Sequence, residues 1–150
     1  MAGGRYILLV EDNPDEEALA LQALRTNGLT NKVVVAHDGM EALDYLFGTG
    51  HYRGRDTTLK PAVILLDLRL PRIDGFEVLR RVRANGQTSL LPVVVVTASH
   101  DADDIREAYR LGANSYVAKP VDFERFSSVM AQIGRYWLSL NEPADTSTRY

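Results

Sequence analysis

The chain contains no cysteine. Disulfides, thiolate metal sites and cysteine nucleophiles are thereby excluded, and a cytoplasmic setting is the simplest expectation. It also lacks any apolar run near the roughly 18 residues that a membrane-spanning helix needs, and its N-terminus lacks the charged-then-apolar design of a signal peptide. No excess of positive charge is present; the net charge is −3, so no basic field favours nucleic acid. Internal repeats and low-complexity tracts are absent too. What remains is ordinary globular usage, 150 residues with 45% hydrophobic and 25% charged, enough for about one domain with a substantial core.

The stretch that organises the chain is Ala62 to Gly75, AVILLDLRLPRIDG. Unbroken apolar residues from Ala62 to Leu66 have the look of a strand buried on both faces. The run ends on Asp67, and Pro71 forbids its continuation. Asp74 and Gly75 then open a helix whose apolar positions Phe76, Val78, Leu79 and Val82 follow helical spacing. Four further strands are read at Tyr6–Val10, Lys32–Ala36, Pro92–Val96 and Ser115–Ala118. Asn13, Asp38 and Asp101 are expected to cap helices, with another helix starting near Asp122. In the first helix, Pro14 suits the opening position, Asp15, Glu16 and Glu17 suit the positive end of the dipole, and Ala18, Leu21 and Leu24 are expected to face inwards. The second helix is expected to bury Met40, Leu43, Leu46 and Phe47. Residues 48–60 are glycine-rich, basic in the middle and longer than the usual connection of about 2–6 residues.

Five strands alternating with five helices, three of the strands nearly pure Val, Ile and Leu, indicate an α/β fold with a doubly wound parallel sheet. The expected order is 2-1-3-4-5, with a ligand crevice between strands 1 and 3. Three carboxylates, Glu11, Asp12 and Asp67, would converge there and repel one another, a conflict that a divalent cation removes. Oxygen-only ligands suit Mg²⁺ rather than zinc. An aspartate beside Mg²⁺ can act as a nucleophile on phosphorus, and Thr97, the Ala98 amide and Lys119 stand at the ends of strands 4 and 5 to stabilise phosphoryl oxygens. Each piece also has a plain reading: a helix cap at Asn13-Pro14, a solvated strand end at Asp67, a turn at Asp74-Gly75, a half-buried aromatic at Tyr116. Their joint occurrence at the correct strand ends is what the plain readings do not supply.

On these residues, over about 5–138, the chain resembles the response-regulator receiver domains of two-component signalling. The matching pieces are Glu11-Asp12, Asp67 with Pro71, Asp74 and Gly75, Thr97-Ala98, Tyr116 and Lys119-Pro120. The resemblance implies a flavodoxin-like receiver fold in which Asp67 is the phosphoacceptor. Asp12 and the backbone carbonyl of Arg69 would bind Mg²⁺, with Glu11 acting through a metal-bound water. Thr97 and Lys119 would hold phosphoryl oxygens, Tyr116 would be the rotating aromatic that reports the state, and the Lys119-Pro120 bond would be cis. Such a domain is not an enzyme in the ordinary sense; it catalyses only its own phosphorylation and dephosphorylation. A sensor histidine kinase is the implied partner. Arg69 and Ser99 occupy positions that border the path of the hydrolytic water in this family, so Arg69 is expected to shield the phosphoryl group.

Residues 1–141 are read as a single receiver domain with an extended fifth helix, and 142–150 as a flexible tail, leaving no room for an effector domain. Phosphorylation is then expected to alter the face of helix 4, strand 5 and helix 5. Phe126, Met130, Ile133, Trp137 and Leu140 form one seam in which Trp137 and Leu140 are expected to overhang the sheet, either as a frayed core stripe or as a homodimer contact built on Tyr136, Trp137 and Leu140. This tail and the long loop resemble stand-alone receivers that serve phytochrome-type histidine kinases. Three rival readings are weaker. A pseudo-receiver acting as an interaction module would have lost an acceptor or metal residue. A Mg²⁺-dependent phosphatase would need a general acid where Arg69 stands. A flavin module would need a phosphate loop where EDNPDEE stands.

Overall fold

The structure is a computed structural model and describes residues 4–144. Its centre is a parallel sheet in the order β2-β1-β3-β4-β5, as expected. The strands are β1 (Ile7–Val10), β2 (Val33–Ala36), β3 (Val63–Leu66), β4 (Val93–Thr97) and β5 (Ser115–Ala118). β1, β3 and β4 are buried at every position, and the edge strands β2 and β5 are largely half-buried. Strands covered on both faces favour apolar side chains, and the one polar residue in these three, Thr97, stands at the end of β4.

Five helices cover the sheet: α1 (Pro14–Thr26), α2 (Gly39–Phe47), α3 (Gly75–Ala84), α4 (Ala102–Arg110) and α5 (Phe123–Arg135). Each starts at a side-chain cap, from Asn13, Asp38, Asp74, Asp101 and Asp122 respectively, whose oxygen accepts first-turn amides. The successive side chains of each strand feed opposite layers. Leu8, Val10, Ile64, Leu66, Val93 and Val95 pack with α2, α3 and Ala108 of α4. Ile7, Leu9, Val63, Leu65, Val94 and Val96 pack with α1 and α5.

Three expectations about side-chain placement need correction. In α1 the buried residues are Ala20, Ala23 and Leu24; Ala18 is exposed and Leu21 only half-buried. Small and large apolar residues surround this helix, so its pattern does not select one stripe. The choice is made by α5, where Gly134 allows a close approach: a Cβ there would meet Leu29 Cδ1 at 2.5 Å and Leu24 Cδ2 at 3.2 Å. In α2, Ala42 and Tyr45 join Leu43 and Leu46 in the core, whereas Met40 and Phe47 are half-buried.

The third correction concerns the end of α5. The helix widens into a π-helical turn over Tyr136–Leu140, closed by the Asn141 amide donating to the Tyr136 carbonyl at 2.7 Å. The wider turn shifts the helical phase. Leu138, outside the predicted seam, becomes the buried residue, and Trp137 is half-buried against the core instead of overhanging it. Leu140 does overhang, at 70% exposure. The Arg5 guanidinium holds this turn by donating to the carbonyls of Leu138 and Asn141. Of the expected flexible tail, 145–150 lie outside the described residues, as do 1–3 at the other end.

The long connection between α2 and β3 is built, not loose. It contains a short 3₁₀ turn, Gly50–Tyr52, and is tied down by Arg55, which stacks 3.9 Å over the Tyr45 ring and donates from Nε to the Tyr45 carbonyl at 2.6 Å.

At Gly39 a Cβ would lie 2.1 Å from the carbonyl oxygen of Ile73, a backbone atom that cannot step aside, whereas a Cβ at Gly86 meets nothing within 4 Å. Gly39→Ala is therefore expected to lower the unfolding free energy by about 1–3 kcal/mol, and Gly86→Ala to leave it within about 0.5 kcal/mol, as read from urea unfolding curves.

Candidate active site at the carboxyl end of the sheet

β1 and β3 are adjacent, with Val10 in register with Leu66, so the residues following each strand emerge side by side. The Asp67 amide donates to the Val10 carbonyl at 3.2 Å, and the Glu11 amide donates to the Ala36 carbonyl at 2.9 Å, extending the sheet by one residue on each strand. This brings carboxylate oxygens of Glu11, Asp12 and Asp67 within 4.8 Å of one another. Glu11 and Asp67 are buried and Asp12 is exposed, so the cluster opens to solvent on one side.

Lys119 answers this charge. It follows β5, and its amide donates to the Thr97 carbonyl at 2.7 Å. Its ammonium lies 2.8 Å from Glu11 Oε1 and 3.0 Å from Asp67 Oδ2, and it also pairs with Glu16. Burial works to lower the Lys119 pKa, but the carboxylates of Glu11, Glu16 and Asp67 outweigh it and hold the ammonium above the ordinary lysine range. Burial pushes the Glu11 carboxyl upwards, reinforced by Asp67 and opposed by Lys119.

Asp67 Oδ1 accepts two further hydrogen bonds, from Thr97 Oγ1 at 2.9 Å and from the Arg69 amide at 3.1 Å. Thr97 is wholly buried. The turn after Asp67 requires glycine at position 75, where a Cβ would sit 2.4 Å from the Asp67 carbonyl oxygen. α3 thus packs its first turn directly against the backbone that carries the acid.

Next to this centre runs a polar chain. Tyr116 donates its hydroxyl to the Ser99 carbonyl at 3.0 Å, and Ser99 Oγ donates to Asp104 Oδ2 at 2.7 Å. The Arg69 guanidinium is 73% exposed and pairs with the same Asp104 at 3.3 Å. The structure therefore gathers Glu11, Asp12, Asp67, Thr97 and Lys119 into one centre, with Arg69, Ser99 and Tyr116 at its rim. Tyr136, Trp137 and Leu140 lie on the π-helical turn, outside it. The bond between Lys119 and Pro120 is trans, which corrects the expected cis form; no cis peptide occurs among the described residues. The intrinsic trans preference of X-Pro bonds prevails, and the lysine still reaches both carboxylates.

Two participants escaped the sequence reading. Glu16 looked like a dipole-complementing residue of α1, yet it is a partner of Lys119. Asp104, in the first turn of α4, is the shared acceptor for Arg69 and Ser99. Neither stands at a strand end, and only their position on neighbouring helices brings them in.

Residues 7–131 match the family model for the response regulator receiver domain. The chain belongs to this family. Among curated proteins it is 42% identical over 135 residues, 90% of this chain and 84% of the relative, to the probable methanogenesis regulatory protein FilR2 of Methanothrix harundinacea. It is 34% identical to the response regulator Rcp1 of Synechocystis, covering 89% of each chain. Among solved structures, the phosphorylated cyanobacterial phytochrome response regulator RcpA superposes with a TM-score of 0.85 at 36% identity, over 93% of this chain and 97% of that one. The Mn²⁺-bound form of Rcp1 superposes with a TM-score of 0.84 at 33% identity, over 93% and 99%. Phytochrome response regulators are thus among this receiver domain's close relatives.

Lys119 is the only cation paired with the buried acids Glu11 and Asp67 among the described residues. Lys119→Met is expected to lower the unfolding free energy at neutral pH by roughly 3 kcal/mol, measured by urea denaturation, because the acids stay buried without their counter-ion.

Proposed function

We propose that this receiver domain takes a phosphoryl group from a cytoplasmic sensor histidine kinase onto Asp67, in the presence of Mg²⁺. The observation that carries this reading is the convergence on Asp67 of two further carboxylates, one ammonium and one hydroxyl. The donor set fits a divalent cation: it is oxygen-only and open on the Asp12 side. Asp12, Asp67 and the Arg69 carbonyl would hold the ion, with Glu11 acting through a bound water. When bound, Mg²⁺ supplies positive charge against the charge that develops on the phosphoryl oxygens.

The remaining work falls to the chain's own side chains. A carboxylate oxygen of Asp67 attacks phosphorus, the bond from phosphorus to the kinase imidazole nitrogen breaks, and the electron pair leaves with the imidazole. Lys119, already on Asp67 Oδ2, neutralises a phosphoryl oxygen. Thr97 Oγ1, now donating to Asp67 Oδ1, turns to donate to the phosphoryl group. The movement of Thr97 frees space beside β4 that Tyr116 enters once its hydrogen bond to Ser99 is given up, and the face formed by α4, β5 and α5 is remodelled. Similarity to RcpA and Rcp1 supports a phytochrome-type kinase as the partner.

The reading extends to assembly as a homodimer through the C-terminal turn. Leu140 and Tyr136 are 70% and 46% exposed, and Tyr136 stacks edge-on against half-buried Trp137 at 4.9 Å. An apolar group of this kind next to a helix end is an association surface of modest size.

Incubation with acetyl phosphate should add one phosphoryl group to the intact mass of the wild type only when Mg²⁺ is present, and none to Asp67→Asn. No gain in the wild type would move the function to phosphorylation-independent binding. In sedimentation velocity, Leu140→Glu is expected to shift the protein from dimer to monomer with its unfolding midpoint unchanged.

A further inference from the structure

The opposite end of the sheet carries a cavity of about 750 Å³, lined by the loop before β3, the start of β1 and the segment before β4. Its charge departs from that of the whole protein. The chain holds 17 basic against 20 acidic residues, yet among the described residues Arg5, Lys32, Arg55 and Lys60 line this cavity and no acid does. Arg5 is engaged with the carbonyls of the C-terminal turn. Lys32 lies with its ammonium 5.6 Å from the Tyr6 ring centroid. Arg55 uses Nε on the Tyr45 carbonyl and Nη1 on those of Asp56 and Leu59, while its Nη2 is buried with no hydrogen-bond partner among the described residues. Nη2 is closed to the cavity, so Arg55 acts on it through its charge rather than by a direct hydrogen bond. Among the described residues Lys60 donates only to the Thr57 carbonyl, and burial together with the charge of Arg55, opposed by Asp56, pulls its pKa below the ordinary value.

Two of the protein's large exposed apolar side chains, Leu59 at 49% and Leu90 at 62%, stand on the same cavity. Cations and exposed apolar side chains lining one cavity describe a ligand with an anionic head and a flat or apolar body. We propose that this cavity is a second binding site, independent of the phosphorylation centre, for a small organic anion. Its phosphate or carboxylate oxygens pair with Lys60 and Lys32 in the field of the Arg55 guanidinium, and its body covers Leu59 and Leu90. The site touches the C-terminal turn through Arg5 and Pro143, so a ligand there bears on the segment that presents Leu140.

The test is an amide-shift titration of the ¹⁵N-labelled protein without Mg²⁺, using adenosine monophosphate, benzoate and inorganic phosphate as separate probes. Expected are saturable shifts at Lys32, Leu59, Lys60 and Leu90, with a Kd below about 1 mM for at least one organic anion and none at Asp12 or Asp67. Adenosine monophosphate alone binding would assign a phosphate ligand, and benzoate alone a carboxylate. Lys60→Gln and, separately, the exposed Lys32→Gln should each weaken that binding by about tenfold with the unfolding midpoint preserved. Absence of saturation with both organic probes overturns the proposal, as does equal binding of inorganic phosphate, unchanged affinity in both variants, or shifts confined to the Asp67 end.

Discussion

Crowded like charge is the constraint on which this molecule turns. Parallel strands β1 and β3 deliver Glu11, Asp12 and Asp67 to one spot, and water is partly excluded from two of them. In a low-dielectric pocket such acids repel strongly or take up protons. The fold answers with a single ammonium at the end of β5, which reaches across to Glu11, Glu16 and Asp67. Four carboxylates against one lysine leave an excess of negative charge that a divalent cation would reduce and a dianionic phosphoryl group would deepen. Small changes in ligation at Asp67 therefore carry large electrostatic consequences.

The same arrangement connects chemistry to surface. Thr97 and Lys119 hold Asp67 from β4 and β5, and the backbone of each is locked to the other by the Lys119 amide on the Thr97 carbonyl. Beyond them, Tyr116, Ser99, Asp104 and Arg69 form a chain of polar contacts running to the first turn of α4. In the apolar layers below, Leu8, Val10, Val63 and Leu66 are fully buried. Any movement at the acid would meet these polar contacts at the rim first.

The two ends of the sheet are electrostatic opposites. The carboxyl end concentrates acids, and the amino end concentrates Lys32, Arg55 and Lys60 around a cavity that Leu59 and Leu90 also line. The long loop between α2 and β3 makes this second end. Arg55 stacked on Tyr45, the T-shaped contact of Tyr45 with Tyr52 at 5.1 Å, and the Tyr6 hydroxyl donating to the Leu59 carbonyl at 2.6 Å hold it over the sheet.

Much of this was legible in the residues alone. Strands of nearly pure Val, Ile and Leu announce a covered parallel sheet, because burial on both faces favours apolar side chains. Asn13, Asp38, Asp74, Asp101 and Asp122 announce helix starts, because their short side chains satisfy first-turn amides. Asp67, Thr97 and Lys119 could be placed at one crevice from strand order, because in a parallel sheet all carboxyl ends lie on the same side. Other features depended on contacts between distant segments. The inward face of α1 is chosen by the approach of Gly134, the phase of the last turn by a π-helical widening that buries Leu138, and the roles of Glu16 and Asp104 by which helices adjoin the crevice. Sequence periodicity assigns a residue to a face of its own element; which neighbour that face meets, and how closely, is decided only when the elements pack.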